Sequence, residues 1–416
     1  MQSVLKDTNK NNYYETILVG TGAAGLYFGA GVPCGHGKDV LMLEKTARPA
    51  MKLLMAGSGQ CNVTHGGSIK DFLDCYGDHG SRIRTCLYKH NNLELMSFLE
   101  GLGVPLTERE DGKVFPASMD AHDVKNALME ACSANGAEIR QNSPVTQIRA
   151  SESGFELIAG SDTAYTCTNL VIATGGCSYP TTGSDGSIFR TLHEDLGLKI
   201  EEPRPALVPV FLQDYRFGEL SGISLQNVGM KISDIKKSFT GDLLFTHRNL
   251  SGPVIINNSR YITTGSRLEF NFIYPENVET VTASLKKAAP GSSRLVTSFL
   301  TEEYSLPKRF VSKIVELALT EDKKLSALTG KEIAAIARGL AAAVFSVSGL
   351  GSFNVAMVTC GGVSLEEVSL KTMESKRYPG LYFIGEVLDI DGDTGGYSLQ
   401  FAYSSANAAL DSIFSR

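Results

Sequence analysis

Three apolar runs in this chain stop abruptly in small residues, and that arrangement restricts the possible fold more than any other feature. The first, Ile17-Leu18-Val19, runs straight into Gly20-Thr21-Gly22-Ala23-Ala24-Gly25 and then into small and apolar residues at helical spacing. The string reads as strand, tight turn and helix. Gly20 permits the turn, Gly22 lets the backbone approach a pyrophosphate, and Gly25 lets the helix pack close to the strand, so that the helix amides opened by Ala23 and Ala24 point at phosphate. A further apolar stretch, Val40 to Leu43, ends in Glu44, nineteen residues after Gly25. An acidic side chain there can accept both ribose hydroxyls of an adenosine.

The second run, Leu170 to Gly176, is a buried strand halted by Thr174-Gly175-Gly176. The third, Leu381 to Ile384, leads to Gly385-Glu386, which can bring a carboxylate to a sugar hydroxyl. Gly395-Gly396-Tyr397 then opens a helix rich in Ala and Ser. Free amides at such a helix start face an anion, and in a flavoprotein that anion is the reduced isoalloxazine. The three segments together read as one flavin site.

At 416 residues, with 43% hydrophobic and 20% charged content, the chain has the composition of a globular protein of two or three domains. No stretch is apolar and long enough to span a membrane, and the polar first twelve residues suit a loose terminus rather than a signal peptide. The eight cysteines show no CxxC pair and no zinc spacing. Free thiols, no metal and a cytoplasmic location follow as expectations. Nothing fixes an oligomeric state. The net charge of -6 is uneven: Pro203 to Leu350 holds 18 Lys+Arg against 13 Asp+Glu, or +5, leaving 21 against 32, or -11, elsewhere.

The pattern predicts a Rossmann-type α/β domain in two segments, 1-202 and 351-416. Between them lies an insertion, 203-350, marked by Pro203, Pro205 and Pro209, with short strands to about 275 and helices over about 276-345. A parallel sheet needs its last strand back beside its first, hence the late closing segment.

The chain resembles the HI0933-like, or BaiN, family of FAD-binding, NAD(P)H-linked bacterial reductases. The resemblance runs nearly end to end, through Gly20 to Gly25, Cys61-Asn62-Val63-Thr64, Ala173 to Pro180, Pro205 to Pro209, Phe245-Thr246-His247, Leu250 to Pro253, Thr359 to Val363 and Gly385 to Gln400. It implies a two-dinucleotide-type FAD domain with an inserted β-barrel and a small helical subdomain. It also implies reduction of carbon–carbon double bonds, of steroid-like small molecules in some members and of uracil in large-subunit ribosomal RNA in at least one branch. NAD(P)H is then a transient donor, because no second glycine fingerprint offers it a domain.

The candidate cofactor residues are Gly20, Gly22, Ala23, Ala24, Gly25, Glu44, Lys45, Lys52, Gly59, Gln60, Cys61 and Asn62 from the first half of the site. Val145, Thr174, Gly175, Gly176, Tyr179, Gly385, Glu386, Asp391, Gly395, Gly396, Tyr397 and Gln400 complete it. Gln60 stands where the family usually has Arg, the loop Gly183 to Gly186 looks short, and Asn249 replaces a usual Gly. Hydride delivery to an alkene leaves a charge that an acid must protonate, and Cys61, then His247, are the candidate donors. Cys61 also suits a small buried side chain, and His247 a structural histidine. Lys236-Lys237 and Lys323-Lys324 read as solvated faces or as contacts for an anionic substrate. A protein holding FAD for binding or redox sensing, without turnover, is the reading of another class.

Overall fold

The computed structural model describes residues 12–415, so the polar segment expected as a loose terminus lies almost wholly outside the described residues. Contacts divide the chain into two compact units, one running up to Pro205 and again from Phe353, the other Ala206–Ser352.

The first unit is built on parallel strands β1 (Tyr13–Val19), β2 (Val40–Leu43), β3 (Glu138–Arg140), β4 (Thr163–Ile172) and β5 (Leu381–Phe383), in the order β5-β4-β1-β2-β3. This is the Rossmann-type arrangement expected from the glycine-stopped runs. The central strands are apolar along their whole buried length because both sheet faces are covered, as parallel sheets require. Helix α1 (Ala23–Gly31) is buried from Ala24 to Ala30, and helix α2 (Tyr397–Phe414) packs against it with an almost continuous row of small residues. Two further strands, Val145–Ser151 and Gly154–Ala159, form an antiparallel meander with the first part of β4.

The second unit has its own apolar core. Six strands close an antiparallel barrel, in the order Val210–Leu212, Leu250–Ser251, Lys237–Phe245, Ser224–Ile232, Arg267–Asn271, Ala343–Leu350. Four helices, Val278–Ala288, Val296–Glu303, Lys308–Leu319 and Gly330–Ala341, separate the fifth strand from the sixth. The strand part therefore does not end near 275 as expected. The alanines at 341–343 carry the helical pattern to the edge of the sixth strand and hide it. Capping boxes at Asn277 with Thr280 and Thr329 with Glu332 set two helix starts.

Close approach of α1 to the sheet demands a residue without Cβ. A Cβ on Gly25 would lie 2.1 Å from the Gly20 carbonyl oxygen, which is backbone and cannot swing away. Gly25→Ala is expected to cost about 1–3 kcal/mol by overpacking and to lower the thermal midpoint by several degrees. An unchanged melting curve would refute this account of the helix–strand contact.

Candidate functional site

Five parallel strands end at one edge of the sheet, and backbone hydrogen bonds align the ends. Gly20 N–H donates to Leu43 O at 2.8 Å, Ala173 N–H to Val19 O at 2.8 Å, Ile384 N–H to Ile172 O at 3.0 Å and Glu44 N–H to Arg140 O at 2.8 Å. Gly20, Glu44, Thr174 and Gly385 thus lie along one seam. Gly20 has φ +99°, and a Cβ there would meet Ala173 O at 2.7 Å, so only glycine fits where β1 and β4 converge.

Gly22 behaves differently. Its φ of -71° suits any residue, and a Cβ there would meet nothing within 4 Å. No protein atom explains that glycine, so the space in front of it is available to a ligand. No side chain caps α1, and its first amides face the same space. Nearby, Thr174 Oγ1 is buried without a hydrogen-bond partner. An open cradle at an uncapped helix start is the arrangement that holds a pyrophosphate. The residues fit the dinucleotide part of FAD.

Glu44, 7% exposed, follows the last residue of β2 at one end of the seam. Its Oε2 accepts from Thr21 N–H at 3.0 Å and Thr21 Oγ1 at 2.5 Å, and its Oε1 accepts from Thr46 N–H and Thr46 Oγ1, both at 2.8 Å. Ser143 N–H donates to Glu44 O and Asn142 N–H to Thr46 O, which brings the strand that starts at Val145 alongside. Lys45 binds Asp185 at 2.5 Å and Ser187 at 3.0 Å, drawing the loop after Gly183 to the same end. Burial pushes the Asp185 carboxyl up, but hydrogen bonds from Lys45 and Ser187 outweigh it and hold it below the usual range.

Midway along the seam a polar cluster closes on itself. Lys52 Nζ donates to Ser178 Oγ at 2.5 Å and Glu386 Oε2 at 2.6 Å, while Glu386 Oε1 accepts from Ser178 Oγ at 2.8 Å and Thr359 N–H at 2.9 Å. Thr359 Oγ1 in turn accepts from the Cys177 and Ser178 amides. A Cβ on Gly176 would strike Thr359 and Glu386, and one on Gly385 would strike Ala24, so Gly175-Gly176 and Gly385 bring the cluster against the seam. Tyr179, half-buried with φ 53°, is fixed by its N–H to Phe353 O at 2.9 Å.

At the far end, α2 starts on Gly396 with φ +94°, again without a side-chain cap. Asn62 accepts from Gly396 N–H at 3.1 Å and donates to Val114 O and Thr64 O, tying the loop from Lys52 to Thr64 to this helix start. Gly59 and Gln60 are half-buried on that loop. Gln60 Oε1 accepts from Arg109 Nη2 at 2.8 Å, and the Arg109 guanidinium lies 4.0 Å over the Phe115 ring. A positive charge therefore stands beside position 60 although position 60 itself lacks one.

Several expected residues have other work. Gln400 is fully buried, and its amide is used by Thr64 Oγ1, His90 O and Ser404 Oγ, so it holds structure and has no face for a cofactor. The Tyr397 ring is 9% exposed, stacked on His65 and edge-on to Phe72 and Tyr76; burial pushes its hydroxyl far above the ordinary value. Asp391 is 2% exposed. Cys61 is 0% exposed, and burial pushes its thiol up to about 12, so it points inward and stays protonated. His247 belongs to the barrel unit, exposed in the turn between Lys237–Phe245 and Leu250–Ser251. Ser178, Thr359, Thr21, Thr46 and Arg109 were missed as site residues. Thr21 and Thr46 flank the glycine turn and Glu44 and were findable; the others come from distant parts of the chain.

An FAD-type seam with a second, barrel-bearing unit defines a FAD-dependent oxidoreductase. The chain belongs to the HI0933-like protein family, whose Rossmann-domain model matches residues 14–412. It is 31% identical over 408 residues to a Haemophilus influenzae protein named ribosomal RNA dihydrouridine synthase, covering 97% of this chain and 99% of that one. It is 25% identical to a 3-dehydro-bile acid delta(4,6)-reductase of Clostridium scindens, covering 94% and 97%. In fold it is similar to a 3-ketosteroid-delta4-(5alpha)-dehydrogenase from Rhodococcus jostii, with TM-score 0.50, 14% identity and coverage of 97% and 98%. Among the described residues no helix is long and apolar enough to cross a membrane.

Two outcomes test the site. Gly22→Val should still fold when stripped of flavin, since a Cβ there meets no protein atom within 4 Å, yet purify without FAD, because the side chain fills the cradle. Full FAD retention, or recovery of FMN from the unmodified protein, would overturn the cofactor assignment. Cys61, with a thiolate fraction on the order of one in a thousand or less at pH 8.5, should resist alkylation in the native protein while exposed Cys34 reacts. Because its folded value is raised, the stabilisation it carries is complete below about pH 8.5 and is lost as pH rises towards 12. Rapid native labelling of Cys61 would contradict its burial.

Proposed function

We propose that this protein reduces an activated carbon–carbon double bond with electrons from NAD(P)H, and that its acceptor is uracil in large-subunit ribosomal RNA. The observation carrying the substrate is the end-to-end match, at 31% identity, to a relative named for ribosomal RNA dihydrouridine formation. The bound FAD supplies hydride transfer between nicotinamide and acceptor. This chain's own residues would do the rest: the α1 amides would hold the pyrophosphate, Glu44 would read the ribose, Glu386 would meet the sugar-alcohol chain, and the α2 start would face the ring. With the Cys61 thiol buried, the exposed His247 is the remaining candidate to deliver the proton, while Cys61 keeps the glycine loop packed.

The net-positive insertion supports an anionic acceptor. Its cations are not equivalent, however. Lys323 is held by Glu332 at 2.7 Å and Lys237 lies 3.6 Å over the Tyr261 ring, whereas Lys236 and Lys324 are exposed. A small alkene acceptor is the second reading, favoured by the match to the bile-acid reductase.

Mass spectrometry of ribosomal RNA nucleosides from cells with and without the gene should show one dihydrouridine lost on deletion. An unchanged nucleoside profile would remove the RNA reading. In vitro, His247→Ala should slow acceptor-dependent reoxidation of the flavin about a hundredfold or more while NAD(P)H-driven bleaching keeps its rate. Cys61→Ser should reoxidise at the unmodified rate. The reverse pattern would return the donor role to Cys61. RNA affinity should fall steeply with salt, and neutralising Lys236 and Lys324 should each reduce the log–log slope by about one if each touches a phosphate. Salt-independent binding would point to the small alkene.

A further inference from the structure

The seam between the two uncapped helix starts contains one ammonium that the fold clamps in place. An elongated dinucleotide lying from the Gly22 cradle to the Gly396 helix start would run past Gly176 and Gly385, against which the cluster packs. The segment that carries Lys52 is anchored at one end by Ala50 N–H to Thr21 O at 3.0 Å and at the other by Asn62 to Gly396. Lys52 sits beside that first anchor, with a side chain 25% exposed.

Donor counting shows what the clamp leaves over. An ammonium has three N–H donors, and Ser178 and Glu386 use two of them. Glu386 is held in turn by Ser178 and Thr359, so neither partner is free to follow the lysine elsewhere. One N–H and a fixed positive charge are therefore left over beside the seam, held in place before any charge develops there. A flavin that accepts hydride gains negative charge on its ring system, and a nearby cation favours that state.

We propose that Lys52 raises the reduction potential of the bound flavin, and that Glu386 and Ser178 are positioning residues that hold its ammonium on the seam. The proposal rests on the FAD reading of the site and is independent of the acceptor. Lys52 lies close to an opposite charge, so the pair makes a two-sided prediction. Removing the cation leaves Glu386 uncompensated and should lower the potential. Removing the anion leaves Lys52 uncompensated and should raise it. A merely structural pair would move the potential the same way in both variants, or not at all.

The test is anaerobic dye-equilibrium titration of the flavin-loaded protein, which needs neither NAD(P)H nor RNA. Lys52→Met should shift the oxidised-to-reduced equilibrium about tenfold towards the oxidised form, about 30 mV for a two-electron couple. Glu386→Gln should shift it by a similar factor towards the reduced form, and Lys52→Arg, which keeps the charge, should stay near the unmodified value. Equal potentials in Lys52→Met and the unmodified protein, or shifts of one sign in both neutralised variants, would overturn the proposal. So would a Lys52→Met protein that cannot be reloaded with excess FAD while Lys52→Arg can, since Lys52 would then act in binding alone. If the potentials behave as stated and ribosomal RNA carries no missing dihydrouridine on deletion, the acceptor assignment fails and the role of Lys52 stands.

Discussion

The register of five parallel strand ends is the constraint on which everything else in the first unit depends. Beyond the strand ladders, four backbone hydrogen bonds tie neighbouring ends, from Gly20 to Leu43, Ala173 to Val19, Ile384 to Ile172 and Glu44 to Arg140. Because the side-chain period in a strand is two, a slip of one residue in any pair would exchange the side chains on the two covered faces and disturb the packing of both. The same slip would move Gly20, Glu44 or Gly385 off the seam. Stability and site geometry are therefore set by the same bonds.

Much of this was legible because local sequence dictates local backbone. A glycine turn between a buried strand and a small-residue helix, and a strand ending in Glu at the right distance, can be read from neighbours alone. The barrel was legible as short strands with polar turns, but not its closure, since its sixth strand follows four helices and begins in an alanine-rich stretch that reads as their continuation.

Side-chain direction was the poorly legible part. Cys61 sits among glycines, which suggests an open loop, yet its own φ of 60° belongs to a backbone that turns the thiol inward. Gln400 and Tyr397 lie where a helix starts beside the seam, but the helix shows the seam its amides and buries those two side chains in the core. The polar cluster had no local signature either. Lys52, Ser178, Thr359 and Glu386 are spread over most of the chain, and only the alignment of strand ends brings them within hydrogen-bond distance.

Glu44 carries a consequence of its own. A carboxylate offers about four lone-pair sites, and here each is matched by a protein donor, two amides and two threonine hydroxyls. The amides are fixed, whereas the hydroxyls rotate, and Thr46 Oγ1 already has a second acceptor in Arg48 O at 3.0 Å. On the proposed reading, a ribose diol entering this seat would trade places with two hydroxyls of its own chemical kind, one on each carboxylate oxygen. Such an exchange would be nearly even in energy, and Glu44 would act less as a source of grip than as a gauge, admitting a sugar with two neighbouring free hydroxyls and leaving the holding to the helix start.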